Sequence, residues 1–211
     1  MKTKASKLAR RPVIVKALPD FGTYHHTSPE DSEKIRKTVK GRFEKAFSDL
    51  PFSREDGLKI LDIGCGLGFL SCVCAGYYSN ARITAFDTFE GVSLENSSLA
   101  RAKENAKVMG YSERITFRKK DFFRSDYSRG KFDLFVSNLV FHNFTKKRLK
   151  AYETLEQWMT PRSHAVLGDL YFEYKRDYKQ LKSLFGKVEE LPRSSMMAGT
   201  YKILVISEPN K

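Results

Sequence analysis

The 211-residue chain reads as an α/β protein. The expectation is a doubly wound, mostly parallel sheet of seven strands with helices on both faces. The last strand should be antiparallel, and a helical extension should precede the sheet. Three observations predict this. From about residue 56 onward, short apolar runs alternate with amphipathic stretches, the pattern of strands joined by crossover helices. The runs are almost continuously apolar, as in Phe132–Val136, which fits strands buried on both sides. The final two runs have no helical stretch between them, and a parallel join needs a crossover.

Residues 1–27 read as a tail and loop, opening with Lys2, Lys4, Lys7, Arg10, Arg11 and Lys16 and no acid among them. Ser28 then caps a helix, Pro29 suits its first position and Asp31 completes an S-x-x-D box. Ile35, Val39, Phe43 and Phe47 form an apolar stripe, and Pro51 ends the segment. Residues 1–50 are therefore expected to form a basic arm and lid helix, and 51–211 the main domain.

Leu58–Ile63 is a strand, and a helix should run from Cys65 to about Ser79. Arg82–Asp87 is a strand, and Ser93–Met109 a helix closed by Gly110. Arg114–Arg118 and Phe132–Ser137 are strands. Thr145–Met159 is a helix with Leu149, Tyr152, Leu155 and Met159 on one face. His164–Asp169 is a strand, and Glu173–Phe185 a helix followed by Gly186. Lys187–Leu191 and Tyr201–Ser207 close the chain around a loop holding Met196, Met197 and Gly199.

Composition narrows the class. Lys and Arg number 38 against 25 Asp and Glu, a net charge of +13. Such a balance raises the prior for an anionic partner, RNA above all. No apolar run approaches the ~20 residues that span a bilayer, and no apolar segment follows the basic start as in a secretory signal. The three cysteines, Cys65, Cys72 and Cys74, cluster with none elsewhere to pair with. A reducing, cytoplasmic setting is expected.

The sharpest feature is Asp62-Ile63-Gly64-Cys65-Gly66-Leu67-Gly68, placed between a strand and a helix. Glycines let the backbone turn tightly and approach a ligand closely, and the helix start offers N–H groups to it. No Lys follows Gly68, so this is no triphosphate loop, and the third glycine falls one residue early for a nicotinamide fingerprint.

This pattern resembles motif I of the class I S-adenosylmethionine-dependent methyltransferases, D/E-x-G-x-G-x-G. The resemblance continues over about residues 56–208. Asp87, with Thr88 after it, ends the second strand, where a carboxylate can accept ribose hydroxyls. Arg101-Ala102-Lys103-Glu104-Asn105-Ala106 is similar to the family's next helix. Asp121-Phe122 follows the third strand, where the family places an acid near the adenine amino group. Ser137-Asn138-Leu139-Val140-Phe141-His142 ends the fourth, where the family carries its catalytic loop. The resemblance implies S-adenosyl-L-methionine as cofactor. It implies contacts from Asp62, Gly64, Cys65, Gly66, Gly68, Asp87, Thr88, Asp121, Phe122 and Asn138. Asp169, ending the fifth strand, reads as a helix cap or solvated end.

Methyl transfer from a sulfonium is an in-line displacement in which positioning supplies much of the rate. A base is needed only where the nucleophile holds its proton. His142 is the first candidate base and Tyr24, in Tyr24-His25-His26, the second. The fourth strand lacks the [DNS]-P-P-[YF] pattern of amino-group and glutamine methylation, and no late thiol serves cytosine C5 chemistry. The cysteines read as filler and helix packing, and His164 as structural. A small or metabolite-like acceptor is slightly favoured. RNA or protein is the alternative, through Arg118-Lys119-Lys120, Arg124, Arg129, Lys131, Lys146-Lys147-Arg148 and Lys150. A non-catalytic cofactor-binding protein is a further reading.

Overall fold

The computed structural model describes residues 17–91, 94, 96–192 and 199–211. The basic run from Lys2 to Lys16, Ser93 and the Met196–Met197 pair lie outside the described residues.

Among the described residues seven strands form one sheet: β1 (Lys59–Ile63), β2 (Arg82–Asp87), β3 (Ile115–Lys119), β4 (Leu134–Asn138), β5 (His164–Leu170), β6 (Phe185–Glu190) and β7 (Tyr201–Pro209). Their order is β3-β2-β1-β4-β5-β7-β6. The first five pair in parallel, and β7 runs antiparallel to both β5 and β6. The chain reverses its strand order between β1 and β4, and ligands of such sheets bind at the carboxyl ends there.

The helices are α1 (Pro29–Ser48), α2 (Phe69–Tyr77), α3 (Leu99–Val108), α4 (Arg148–Trp158) and α5 (Tyr174–Leu184). Val39, Phe43 and Phe47 of α1 share one core with Cys74 of α2 and Ala102 and Ala106 of α3. Tyr152 and Leu155 of α4 share the other with Leu181 and Leu184 of α5. Neighbouring strand residues divide between the two: Ile60 and Val136 face the first core, Leu61 and Phe135 the second. That division explains the uninterrupted apolar strands. The α1 stripe is wholly buried at Val39, Phe43 and Phe47. Burying side chains of this size stabilises by roughly 1.5–3 kcal/mol each, so α1 is anchored in the core.

Ser28 caps α1 as its spacing predicts, its Oγ accepting from Asp31 N at 3.1 Å. Several helix boundaries differ from expectation. The second helix begins at Phe69, because Gly64, Gly66 and Gly68 all hold positive φ (70°, 48° and 85°), which a helix cannot contain. The third begins at Leu99, with Ser98 as its cap, accepting from Arg101 N at 3.2 Å. Residues Phe141–Lys147 form a 3-10 stretch, broken at Thr145 (φ 46°, ψ −117°), before α4 starts at Arg148. Finally, α5 ends at Leu184 and passes directly into β6, which includes Gly186.

Candidate functional site

The glycine loop leaves β1 and crosses the carboxyl end of the sheet. Gly64 and Cys65 both donate their N–H groups to Phe86 O, at 2.9 and 3.0 Å, pinning the loop to β2. Gly66 N donates to Asp87 Oδ2 at 2.9 Å, while Asp87 Oδ1 accepts from Phe89 N at 2.8 Å. A carboxylate offers about four lone-pair sites, so each oxygen of Asp87 retains one for a ligand hydroxyl. Gly64 has no room for a side chain: an added Cβ would lie 2.4 and 2.7 Å from the two γ-methyl carbons of Val140. Leu139, at φ 59°, makes the turn after β4 that sets Val140 on the loop.

Two cavities flank this contact and share Gly64, Val140 and Asn143. The larger, about 440 Å³, is lined by Asp62, Gly64, Cys65 and Gly66, and by Tyr24, Asn138 and His142. The smaller, about 320 Å³, is lined by Asp87, Thr88, Lys120 and Phe122. The expected cofactor residues thus fall on one continuous edge, divided between two chambers. Two stand aside. Gly68 lines neither cavity and instead turns the chain into α2 with its left-handed backbone. Asp121 is exposed and lines neither; its Oδ1 accepts from Phe123 N and Arg124 N, capping the turn that presents Phe122.

Asp62 is buried beneath the loop, where Ser71 Oγ donates to its Oδ2 at 2.5 Å. Burial, helped by the charge of Asp87 and opposed by the Ser71 hydrogen bond, pushes its pKa up to about 7. Burial also raises the thiols: Cys65 and Cys74 well above the usual range, Cys72 to about 12. None of the three is a ready thiolate.

The structure corrects the reading of Asp169. It is buried, not a solvated end or a helix cap. Its Oδ1 lies 2.6 Å from His142 Nδ1, and its Oδ2 accepts from His142 N at 3.1 Å. A carboxylate that also accepts from Leu170 N must accept from the imidazole, so Nδ1 carries a proton, and in the neutral ring Nε2 is the acceptor. His142 lines the 440 Å³ cavity, so that acceptor belongs to a group at the site.

An N-terminal strap crosses the same cavity. Asp20 and Asn105 exchange two hydrogen bonds of 2.8 Å, Phe21 packs edge-on against Phe69 at 5.5 Å, and Tyr24 bridges to Leu94. The Tyr24 ring lies under the Arg36 guanidinium, 5.3 Å from its centroid, and burial raises its phenol pKa. His25 and His26 are exposed at the cavity rim. His164 sits away from this edge, edge-on to Phe52 at 5.3 Å. Sequence reasoning had no local signal for Asp169 as an imidazole partner, for Leu94, or for Tyr201, whose hydroxyl donates to Asn138 Oδ1 at 2.7 Å.

A family description, "Methyltransferase domain", matches residues 54–204. The malonyl-[acyl-carrier protein] O-methyltransferase of Legionella pneumophila is 28% identical over 113 residues, 54% of this chain and 37% of that protein. The tRNA1(Val) (adenine(37)-N6)-methyltransferase of Vibrio cholerae is 33% identical over 84 residues, 40% of this chain and 32% of that protein. The chain thus spans about a third of the length of these curated relatives. In fold it is similar to an S-adenosyl-L-methionine-dependent methyltransferase of Methanococcus maripaludis, with a TM-score of 0.63 and 14% identity over 86% of this chain and 90% of that one. The mitomycin 7-O-methyltransferase gives a TM-score of 0.60 and 15% identity over 87% of this chain and 59% of that one. A loop whose Gly64 has no room for a Cβ, an acid ending β2 with lone pairs to spare, and a match from residue 54 to 204 all point one way. This chain belongs to the class I S-adenosylmethionine-dependent methyltransferases.

Proposed function

We propose that the chain transfers a methyl group to a small, metabolite-like acceptor through a nucleophile that gives up a proton, a hydroxyl above all. The observation that carries this reading is the His142–Asp169 pair lining a cavity of about 440 Å³. In this reading the nucleoside of S-adenosyl-L-methionine lies in the chamber of Asp87, Thr88 and Phe122, and its amino-acid end in the chamber of Gly64, Gly66 and Asn138. The cofactor supplies an activated methyl on a sulfonium. Asp169 holds the His142 tautomer and orientation, and His142 Nε2 takes the acceptor's proton as the nucleophile forms its new bond. The strap from Asp20 to Tyr24 keeps water from the cavity. The expected location is the cytoplasm; among the described residues no helix is long and apolar enough to cross a membrane.

A second reading, RNA methylation, has one observation in its favour. Arg118, Arg124, Lys146 and Lys147 are exposed on or beside the carboxyl edge. The test is radiolabelled S-adenosyl-L-methionine with size-fractionated lysate, with and without ribonuclease. Label in the small-molecule fraction, lost in His142→Ala, supports the first reading. Label found only in ribonuclease-sensitive polymer refutes it and supports the second.

A further inference from the structure

Most backbone amides of the glycine loop are already engaged. Gly64 and Cys65 donate to Phe86 O, Gly66 to Asp87, and Gly68 to Cys65 O at 2.8 Å. A carboxylate entering the 440 Å³ cavity therefore meets few open loop amides and gains from donors on side chains. Asn138 lines that cavity, and its amide is fixed from behind. Tyr201, the first residue of β7, donates its hydroxyl to Asn138 Oδ1 at 2.7 Å. The bond passes over Gly168 of β5, where an added Cβ would lie 2.4 Å from the Tyr201 hydroxyl and 3.0 Å from Asn138 Oδ1. Glycine at 168, within β5, is what leaves space for it. Burial holds the Tyr201 phenol well above its ordinary pKa, so it stays a donor throughout the working range. With Oδ1 engaged, the amide edge left over is Nδ2, which makes no hydrogen bond among the described residues.

We infer that Tyr201 is a positioning residue: by engaging Asn138 Oδ1 it presents Asn138 Nδ2 as a donor to the carboxylate of the cofactor's amino-acid end. The inference rests on the reading that this end lies in the glycine-loop cavity. Tyr201 itself touches no ligand, and its effect passes entirely through Asn138.

The test compares two probes by calorimetry. S-adenosylhomocysteine carries the amino-acid end; 5′-methylthioadenosine carries the same nucleoside without it. Tyr201→Phe keeps the buried ring and removes only the hydroxyl. It should weaken S-adenosylhomocysteine about tenfold, the order expected for one hydrogen bond, and change methylthioadenosine less than about twofold. Asn138→Asp keeps the acceptor for Tyr201, removes the Nδ2 donor and sets a negative charge against the carboxylate. It should weaken S-adenosylhomocysteine further, again sparing the other probe. Parallel losses for both probes would make Tyr201 merely structural and overturn the proposal, as would no loss for either. Equal affinity of the unaltered chain for the two probes would overturn the cavity reading itself, and the proposal with it. In the unaltered chain, the Asn138 side-chain amide resonances should move with S-adenosylhomocysteine and stay with methylthioadenosine; identical responses would also overturn it.

Discussion

Gly64→Ala is the sharpest probe of the loop, because two separable costs meet at one atom. The residue holds φ 70°, where an L-residue costs roughly 1–2 kcal/mol. The new Cβ would lie 2.4 and 2.7 Å from the Val140 γ-carbons and 3.1 Å from Val140 Cβ. Carbon atoms settle at about 3.5–4.0 Å, so Val140 must retreat by about 1 Å. Rotating its side chain gives no relief, since both branches are in contact. Overpacking of this kind costs roughly 1–3 kcal/mol. The total is about 2–5 kcal/mol, or on the order of 10 °C in melting temperature for a chain of this length. Urea unfolding of four proteins separates the two parts: unaltered, Gly64→Ala, Val140→Ala and the double variant. In the Val140→Ala background the overlap with the γ-carbons is gone and only the 3.1 Å approach to Cβ remains, so Gly64→Ala should cost little more than the backbone part, about 1–2 kcal/mol. If Gly64→Ala costs the same in both backgrounds, Val140 does not rest on the loop and the two-chamber description fails.

Asp87→Ala should weaken S-adenosylhomocysteine at least about tenfold by calorimetry, because hydrogen bonds to a charged carboxylate exceed the usual strength, while the folded core persists. Unchanged affinity would remove Asp87 from the site. Asp62 holds its proton more tightly when folded, up to about 7 against an ordinary 3.8. Its contribution to stability is therefore full below about pH 4 and is lost as pH rises through about 7. At about 1.4 kcal/mol per pH unit the span is at most roughly 4 kcal/mol. Asp62→Asn should flatten the urea-midpoint profile between pH 4 and 7; a profile of unchanged slope would refute this. Asp169→Asn leaves the shape of the His142 contact but no longer favours the Nδ1–H tautomer. Once an acceptor is in hand, turnover should fall roughly 10²–10⁴-fold with S-adenosylhomocysteine affinity unchanged. Full turnover would exclude His142 as base.

What could be read in the sequence was local. The Ser28 cap, the three glycines between strand and helix, and Asp87 at the end of a strand each carry their meaning within a few residues. Alternation of strand and helix was also enough to place the carboxyl edge. The misread helix starts have equally local causes. The glycine loop was long enough to pass for a first helical turn, and Ser98 alone caps α3 in a stretch with several serines. Asp169 could not be read, because its partner His142 lies 27 residues earlier and meets it only through the β4–β5 pairing. Val140 over Gly64 and Tyr201 over Gly168 depend likewise on strands brought together across the sheet. Helix α1, expected as part of an arm and lid, carries a stripe that reads as docking on something. The sequence could not show that the something is the core of the sheet itself.

Strand β7 is the last of the seven in chain order, yet it lies between β5 and β6. During synthesis, β5 therefore emerges with one edge unpaired and stays so until β7 is made. An exposed edge of Ala165, Val166 and Leu167 is a template for pairing with another nascent chain. β6 has no strand beside it until β7 inserts between it and β5. Cotranslational folding should thus proceed from β1 to β5 and stall there, with completion as a late, all-or-none insertion. The same event delivers Tyr201 to Asn138. A nascent chain would remain vulnerable to aggregation until the moment it becomes competent to hold its ligand.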